Sequence, residues 1–439
     1  MRILLIAYEF PPIISGQSLR WFYLANELAK LGVEVHVLCP DMPALPPFSE
    51  GLHPGVIVHR TWAGPYVGFS QSMYLRLSKR QGKKDAQEVA TPVDPSYRKT
   101  ALLNLYRSGR RFLDQVVFPD LRSEWFLSAS IRLTRLLKTH AYDAVVASHE
   151  PGVSLMLGLR AQRISRLPLI ADLADPIVPP HAPRWRQRFD LAFEAKVLKQ
   201  VDAAVVTTEA AAELFMQRQG LWHLHEKFEC ITQGFPGRGG HRKEAAAAKL
   251  PEGALKMVYT GNFYEDFRSP AKLATALRSL KDLNIQVDFY GNHTAYHALF
   301  EDLECATFYG AVDHPTCLAV QGHCDVLLSL GNRQAFQVPG KVYEYLGAGV
   351  PILHVCMSAT DEAGQLISDL GAGWAVPNEA SALARAIREI HRTWQAGDLQ
   401  NSLSRNEEAI HEFSWANRAQ RYLKTIVRTV KASTDKLPA

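Results

Sequence analysis

Short apolar runs rich in β-branched residues alternate with helix-period segments throughout the sequence. The runs ILLIA (3–7), VEVHVL (33–38), GVIVHR (55–60), DAVVAS (143–148), LPLIADL (167–173) and AAVVTT (203–208) read as strands. After the first run, Trp21, Leu24, Leu28 and Leu31 recur at intervals of three and four, which sets one apolar stripe inward along a helix. Strand–helix alternation of this kind builds βαβ units and a parallel sheet. From Gln233 to Leu255 the pattern breaks into Gly, Pro and charge, as at a domain boundary. It then restarts with KMVYTGN (256–262), IQVDFYGN (285–292), ATFYGA (306–311), CDVLLSL (324–330) and PILHV (351–355). The expected fold is therefore α/β, with two Rossmann-like, doubly wound parallel-sheet domains over residues 1–236 and 254–411. A last helix is expected over 412–431, with Trp415, Tyr422, Ile426 and Val430 as its apolar positions.

A chain of 439 residues exceeds one ordinary domain. No apolar run approaches the ~18 residues of a membrane-spanning helix. The opening MRILLIAYEFPP is cut short by Glu9 and Pro11 without a small-residue cleavage site, so it reads as a buried strand and not a leader. The six cysteines form no CxxC pair, which is the usage of a cytosolic chain and not of a disulfide framework. A net charge of +5 is mild and points to no nucleic-acid partner. Residues 66–115 depart from the alternation. Between Arg76 and Arg111 ten Lys or Arg face three acids, Asp85, Glu88 and Asp94, with Leu, Tyr and Phe interleaved. Such a segment is a solvated insertion or a patch that leans on anionic lipid. A cytoplasmic chain, peripheral on the inner membrane face, is the corresponding expectation.

Ligands of open α/β sheets sit beyond the carboxyl ends of the strands, so the residues after each run are the ones to read. Gly16 follows the first run and opens a helix, with Arg20 one turn in; it is a close-approach glycine or a turn glycine. The absence of GxGxxG gives a dinucleotide cofactor no support. His149 ends VVASH and can hydrogen-bond a hydroxyl or carry a proton, or simply sit in a loop. Asp172 and Asp175 end LIADLAD, where acids bind sugar hydroxyls or cap the next helix. Their D-x-x-D spacing, and that of His314, Cys317, His323 and Cys324, suggests no metal. In the second half Gly261 closes a strand and Arg268 lies in the following loop, its forked donors suited to a phosphate. Tyr290 and Tyr309 end two further strands, as core aromatics or as walls for a flat base.

The stretch PGKVYEYLGAGVPIL (339–353) starts a helix at Gly340 and returns at once to a strand. The free amides and positive dipole end of such a helix attract a diphosphate, and Lys341 adds a point charge. Glu344 can accept both hydroxyls of a ribose, or simply complement the dipole.

These residues, in this order, resemble the family-4 glycosyltransferases of GT-B architecture, two Rossmann-like domains facing a cleft. EFPPIISGQSLRWFYLANELAKLGVEVHVL resembles the family's opening, PLIADLADPIV its middle strand, and VYTGNFY, CDVLLSL and PGKVYEYLGAGVPIL its nucleotide-sugar half. The resemblance implies donor-binding roles for Gly16, Gly261, Arg268, Lys341, Glu344 and Tyr345, with Glu344 on the ribose and Arg268 on the diphosphate. It implies His149 and Arg268 as catalytic residues and Arg20, Asp172 and Asp175 on the acceptor side, with no metal and no cofactor beyond the donor. It also implies that the last helix crosses back to the first domain. One departure stands out: many members carry a glutamate eight positions before Glu344, and here that position is Phe336. The expected activity is transfer of a sugar from a nucleotide-diphosphate donor, UDP-linked by resemblance, to a glycan or lipid-linked hydroxyl with retention of configuration. The rival readings are a nucleotide-sugar isomerase or hydrolase of the same fold, and a non-catalytic scaffold that binds nucleotide sugar.

Overall fold

A computed structural model describes residues 1–68, 117–178, 184–237, 253–265, 268–333, 337–399 and 401–435. Most of the basic segment, and Phe336, lie outside the described residues. The chain divides into two compact units, Met1–Ile231 with Ala419–Ala439, and Thr232–Arg418.

The first unit holds a parallel sheet of seven strands among the described residues, in the order β3-β2-β1-β4-β5-β6-β7. These are β1 (Arg2–Ile6), β2 (Glu34–Asp41), β3 (Val56–Trp62), β4 (Ala144–His149), β5 (Leu169–Leu173), β6 (Ala203–Val206) and β7 (Phe228–Cys230). The central strands β1, β4, β5 and β6 are buried along almost their whole length, which is why they read as unbroken apolar runs. Among the described residues the helices beside them are α1 (Gly16–Lys30), α2 (Phe126–Thr139), α3 (Gly152–Ser165), α4 (Arg184–Gln200) and α5 (Glu209–Gln219). On α1 the predicted stripe buries Trp21, Leu24 and Leu28, but Leu31, at the helix C-cap, stands 42% exposed.

Among the described residues the second unit holds a parallel sheet of six strands, in the order β10-β9-β8-β11-β12-β13. They are β8 (Leu255–Thr260), β9 (Ile285–Tyr290), β10 (Ala306–Gly310), β11 (Val326–Leu330), β12 (Ile352–Cys356) and β13 (Gly373–Pro377). Its helices are α6 (Ala271–Arg278), α7 (His314–Gln321), α8 (Gly340–Ala348), α9 (Glu362–Asp369), α10 (Ala380–Gln395) and α11 (Glu407–His411). In each sheet the strand order reverses beside the first strand of the unit, at β1/β4 and at β8/β11, and such switch points are where open α/β sheets bind ligands.

The final helix, α12 (Trp415–Thr434), belongs to the first unit from Ala419 onward. There Tyr422 packs edge-on against Trp21, ring centroids 5.2 Å apart, and Arg421 and Arg428 both reach Glu229. No helix among the described residues is long and apolar enough to cross a membrane.

Candidate active site

The second unit gathers most of the predicted donor residues around α8. Pro339 is its N-cap residue and Gly340 its first residue, and no side chain caps that end. Such an end leaves amide donors and the positive pole of the helix for another partner. Within the first turns, Lys341 Nζ lies 2.6 Å from Glu344 Oε2. The same oxygen accepts from Gln321 Nε2 at 3.1 Å, and His314 Nε2 stands 3.5 Å from Oε1. Both of these partners come from α7, which is set against α8. Burial alone would raise the Glu344 carboxyl; the Lys341 ammonium and His314 more than offset that and hold it at about 2. Burial likewise works against the Lys341 charge, and Glu344 reverses the effect, so the ammonium titrates above its ordinary range. The pair is thus a fixed zwitterion at neutral pH, with the Glu344 side chain 12% and the Lys341 side chain 31% exposed.

Tyr345 is a different case. Its ring is buried, and its hydroxyl meets the Thr260 amide at 2.9 Å and Oγ1 at 3.1 Å. The residue ties α8 to the end of β8, and with 1% exposure it has no surface to offer a donor. Its predicted contact with the donor is therefore replaced by a structural role.

Gly261, just past β8, has φ +149, and Gly291, just past β9, has φ +146. A Cβ on Gly291 would stand 2.0 Å from the Gly261 carbonyl oxygen, so these two strand ends approach as only glycine allows. Arg268 donates from NH2 to Asn332 Oδ1 at 2.5 Å, which fixes it beside the carboxyl end of β11, and its guanidinium lies 5.9 Å from the Tyr264 ring centroid. At the carboxyl ends of β9 and β10, Tyr290 and Tyr309 stack with centroids 4.7 Å apart and planes 7° from parallel. Tyr290 is nearly buried while Tyr309 is 48% exposed, which leaves one flat face outward.

In the first unit Gly16 opens α1 with no atom within 4 Å of where a Cβ would be, and Ser15 caps the helix by accepting from Ser18 N. His149 ends β4 with 4% exposure. Its Nε2 is 3.5 Å from the Pro176 carbonyl oxygen, and burial lowers its pKa to about 4. Asp175 follows β5 and is partly exposed. Arg20 and Asp172 fall elsewhere than predicted. Nε of Arg20 meets Oδ2 of Asp172 at 3.1 Å with both side chains fully buried, and Arg20 NH2 donates to the Ile231 carbonyl at 2.9 Å. Neither has exposed surface with which to meet an acceptor; the pair binds α1 to β5 within the unit.

Of the four residues weighed against zinc, His314 and Cys317 face the Glu344 corner, Cys317 Sγ lying 3.4 Å from Lys341 Nζ. His323 instead bonds the Ala319 carbonyl, and Cys324 the Gln321 carbonyl. Spacing did not single out His354, Cys356 and Asp361, which the carboxyl end of β12 and the start of α9 bring together. It also missed the Gln321 and His314 contacts to Glu344, for which the only signal was the polar side of a short helix.

Residues 15–224 match the glycosyl transferase 4-like domain family. No curated protein matches the sequence. Among solved structures, sucrose-phosphate synthase from Thermosynechococcus elongatus superposes with a TM-score of 0.67 at 16% identity, over 98% of this chain and 99% of that one. HepE of Anabaena, solved with UDP and glucose, gives 0.62 at 15% identity, over 98% of this chain and 100% of that one. WaaG, a glycosyltransferase involved in lipopolysaccharide biosynthesis, gives 0.53 at 15% identity, over 100% of both chains. At such identities the structural likeness speaks to the fold. Residues 15–224 thus carry a glycosyl transferase 4-like domain, and the chain as a whole has the GT-B fold.

Proposed function

We propose that the chain transfers a sugar from a UDP-sugar to a hydroxyl on a glycan or lipid-linked saccharide, with retention of configuration. The observation that carries this reading is the Lys341–Glu344 corner at the amino end of α8. A carboxylate held ionised, one edge exposed, beside uncapped helix amides suits a ribose joined to a diphosphate. The nucleotide-bound HepE structure supports UDP as the carrier.

Lys341 and the α8 amides would hold the diphosphate, and Glu344 the ribose hydroxyls. The exposed Tyr309 face would stack the base. Arg268 would meet charge as it develops on the leaving diphosphate, so that its contribution is larger in the transition state than in the ground state. His149 is neutral above about pH 4 and so serves as a hydrogen-bonding group for the sugar and not as an acid. A leaving diphosphate on the same face as the acceptor takes the acceptor's proton, which gives retention without a protein nucleophile. Gly16 and Asp175 remain proposed contacts of the first unit. No step in this scheme requires a metal.

The test is turnover of UDP-sugars with and without saccharide acceptors. Arg268→Ala should lower kcat by ~100-fold with a smaller change in donor affinity. Sugar release without acceptor at an equal rate would instead indicate a hydrolase, and binding without turnover a scaffold. Association with an anionic membrane through the basic segment is tested by co-sedimentation with vesicles. Unchanged sedimentation after deletion of residues 76–111 removes that part of the proposal.

A further inference from the structure

The carboxyl end of β12 carries a second group of chemically active side chains, apart from the α8 corner. His354 lies on the strand, Cys356 is its last residue, and Asp361 caps α9. One ligand atom from each, an imidazole nitrogen, the thiol sulfur and a carboxylate oxygen, lie within 4.8 Å of one another. We propose that His354, Cys356 and Asp361 form a binding site for one Zn²⁺ ion, with its fourth position open to solvent.

The donor set is the first reason. One imidazole, one thiolate and one carboxylate make a borderline-soft set, which selects zinc or cobalt over magnesium or calcium. A thiolate and a carboxylate also balance the charge of a divalent ion, and the Cys356 thiol proton leaves to solvent as the sulfur–metal bond forms.

The second reason is the shell around the ligands. His354 Nδ1 is 2.9 Å from Ser329 Oγ on β11, while Nε2 faces Asp361 Oδ1 at 3.1 Å. Metal-binding histidines use their second nitrogen in this way, to fix ring orientation and tautomer. Asp361 is held in turn by the amides of Met357, Ala363 and Gly364.

The third reason is space. Gly331, just past β11, lies so close that a Cβ there would be 2.1 Å from Asp361 Oδ2 and 3.1 Å from His354 Nε2. A Cβ on Gly364 would stand 2.7 Å from Cys356 Sγ. Two glycines thus leave the ligand heads room that any side chain would fill. Tetrahedral zinc, with bonds of about 2.0–2.3 Å, needs its ligands roughly 3.5 Å apart, so a side-chain shift of about an ångström closes the site. His354 is fully buried and the Asp361 side chain is only 6% exposed, but Cys356 is partly exposed, which leaves the ion a side from which to enter.

The test uses the full chain, stripped with a chelator and titrated with Co²⁺ and then Zn²⁺. The expected result is one Co²⁺ per chain with a thiolate-to-cobalt charge-transfer absorption that Zn²⁺ abolishes, and a melting temperature raised by Zn²⁺. Cys356→Ser should lose the absorption and weaken Zn²⁺ binding by ~100-fold or more. Asp361→Asn, which keeps an acceptor for the α9 amides, should weaken it in the same direction, while Cys305→Ser should leave it unchanged. Circular dichroism confirms that each variant is folded. Absence of bound cobalt in the wild-type chain, or an absorption that survives in Cys356→Ser, overturns the proposal.

Discussion

On α8 the Lys341 ammonium and the Glu344 carboxylate, three residues apart, are joined at 2.6 Å, and the carboxylate is held from α7 as well. The hydrogen-bonding capacity of Glu344 Oε2 is largely committed within the unit, so a ribose bound there must share or displace Lys341. Glu344→Ala is expected to raise the UDP dissociation constant by about 10–100-fold, the loss of charge-assisted hydrogen bonds of ~1.5–3 kcal/mol. Calorimetry with UDP measures it. Wild-type affinity in the variant would remove Glu344 from the nucleotide site.

The same carboxyl makes acid stability a readout. Its folded pKa of about 2 lies below its ordinary 4.5. The stabilisation is therefore fully present above pH 4.5 and fades as pH falls from 4.5 towards 2. Urea unfolding of the wild type and Glu344→Gln should show a gap at pH 7 that narrows across this window. A gap independent of pH would mean the carboxylate gains nothing from Lys341.

Arg20 and Asp172 form a fully buried pair. Removing either partner leaves an uncompensated buried charge, so Arg20→Ala or Asp172→Ala should cost about 3–5 kcal/mol in chemical denaturation. Loss of activity with unchanged stability would return both residues to the acceptor.

His149 is expected to be uncharged at physiological pH, since burial lowers its pKa to about 4. The pH–rate profile should therefore show no limb between pH 6 and 7 that disappears in His149→Asn, although the rate itself falls. The appearance of such a limb would make His149 a titrating acid–base group.

The exposed face of Tyr309 gives a further prediction. Tyr309→Ala should weaken UDP binding by ~1–3 kcal/mol if the base stacks there, and Tyr309→Phe should restore it. Equal binding by all three proteins would place the base elsewhere.

Legibility in the sequence followed burial. The central strands β1, β4, β5, β8 and β11 are buried on both faces, and their apolar runs announced both parallel sheets. The edge strands β7 and β13 did not stand out: Phe228–Cys230 has three residues, and Gly373–Pro377 is partly exposed along its length, with Gly and Pro at its ends. At the candidate site, Lys341 and Glu344 were readable because helix spacing alone brings them together. Tyr345 was misplaced because one further residue turns the side chain by about 100°, from the surface into the core. Asp172 on β5 and Arg20 on α1 were misread for a related reason: position along an element gives the level beside the sheet but not whether the side chain points in or out. His354, Cys356 and Asp361 meet only because a strand end folds back over a helix start, and linear spacing does not encode that.

The Trp21–Tyr422 contact joins α1 to a helix encoded some four hundred residues later. During synthesis the early strands emerge long before the piece that covers Trp21 exists, so on the ribosome this face of the nascent amino-terminal lobe waits, uncovered, through translation of the whole intervening lobe. A fragment ending at the boundary would keep that greasy face bare and, for want of α12, would be prone to stick to its own copies.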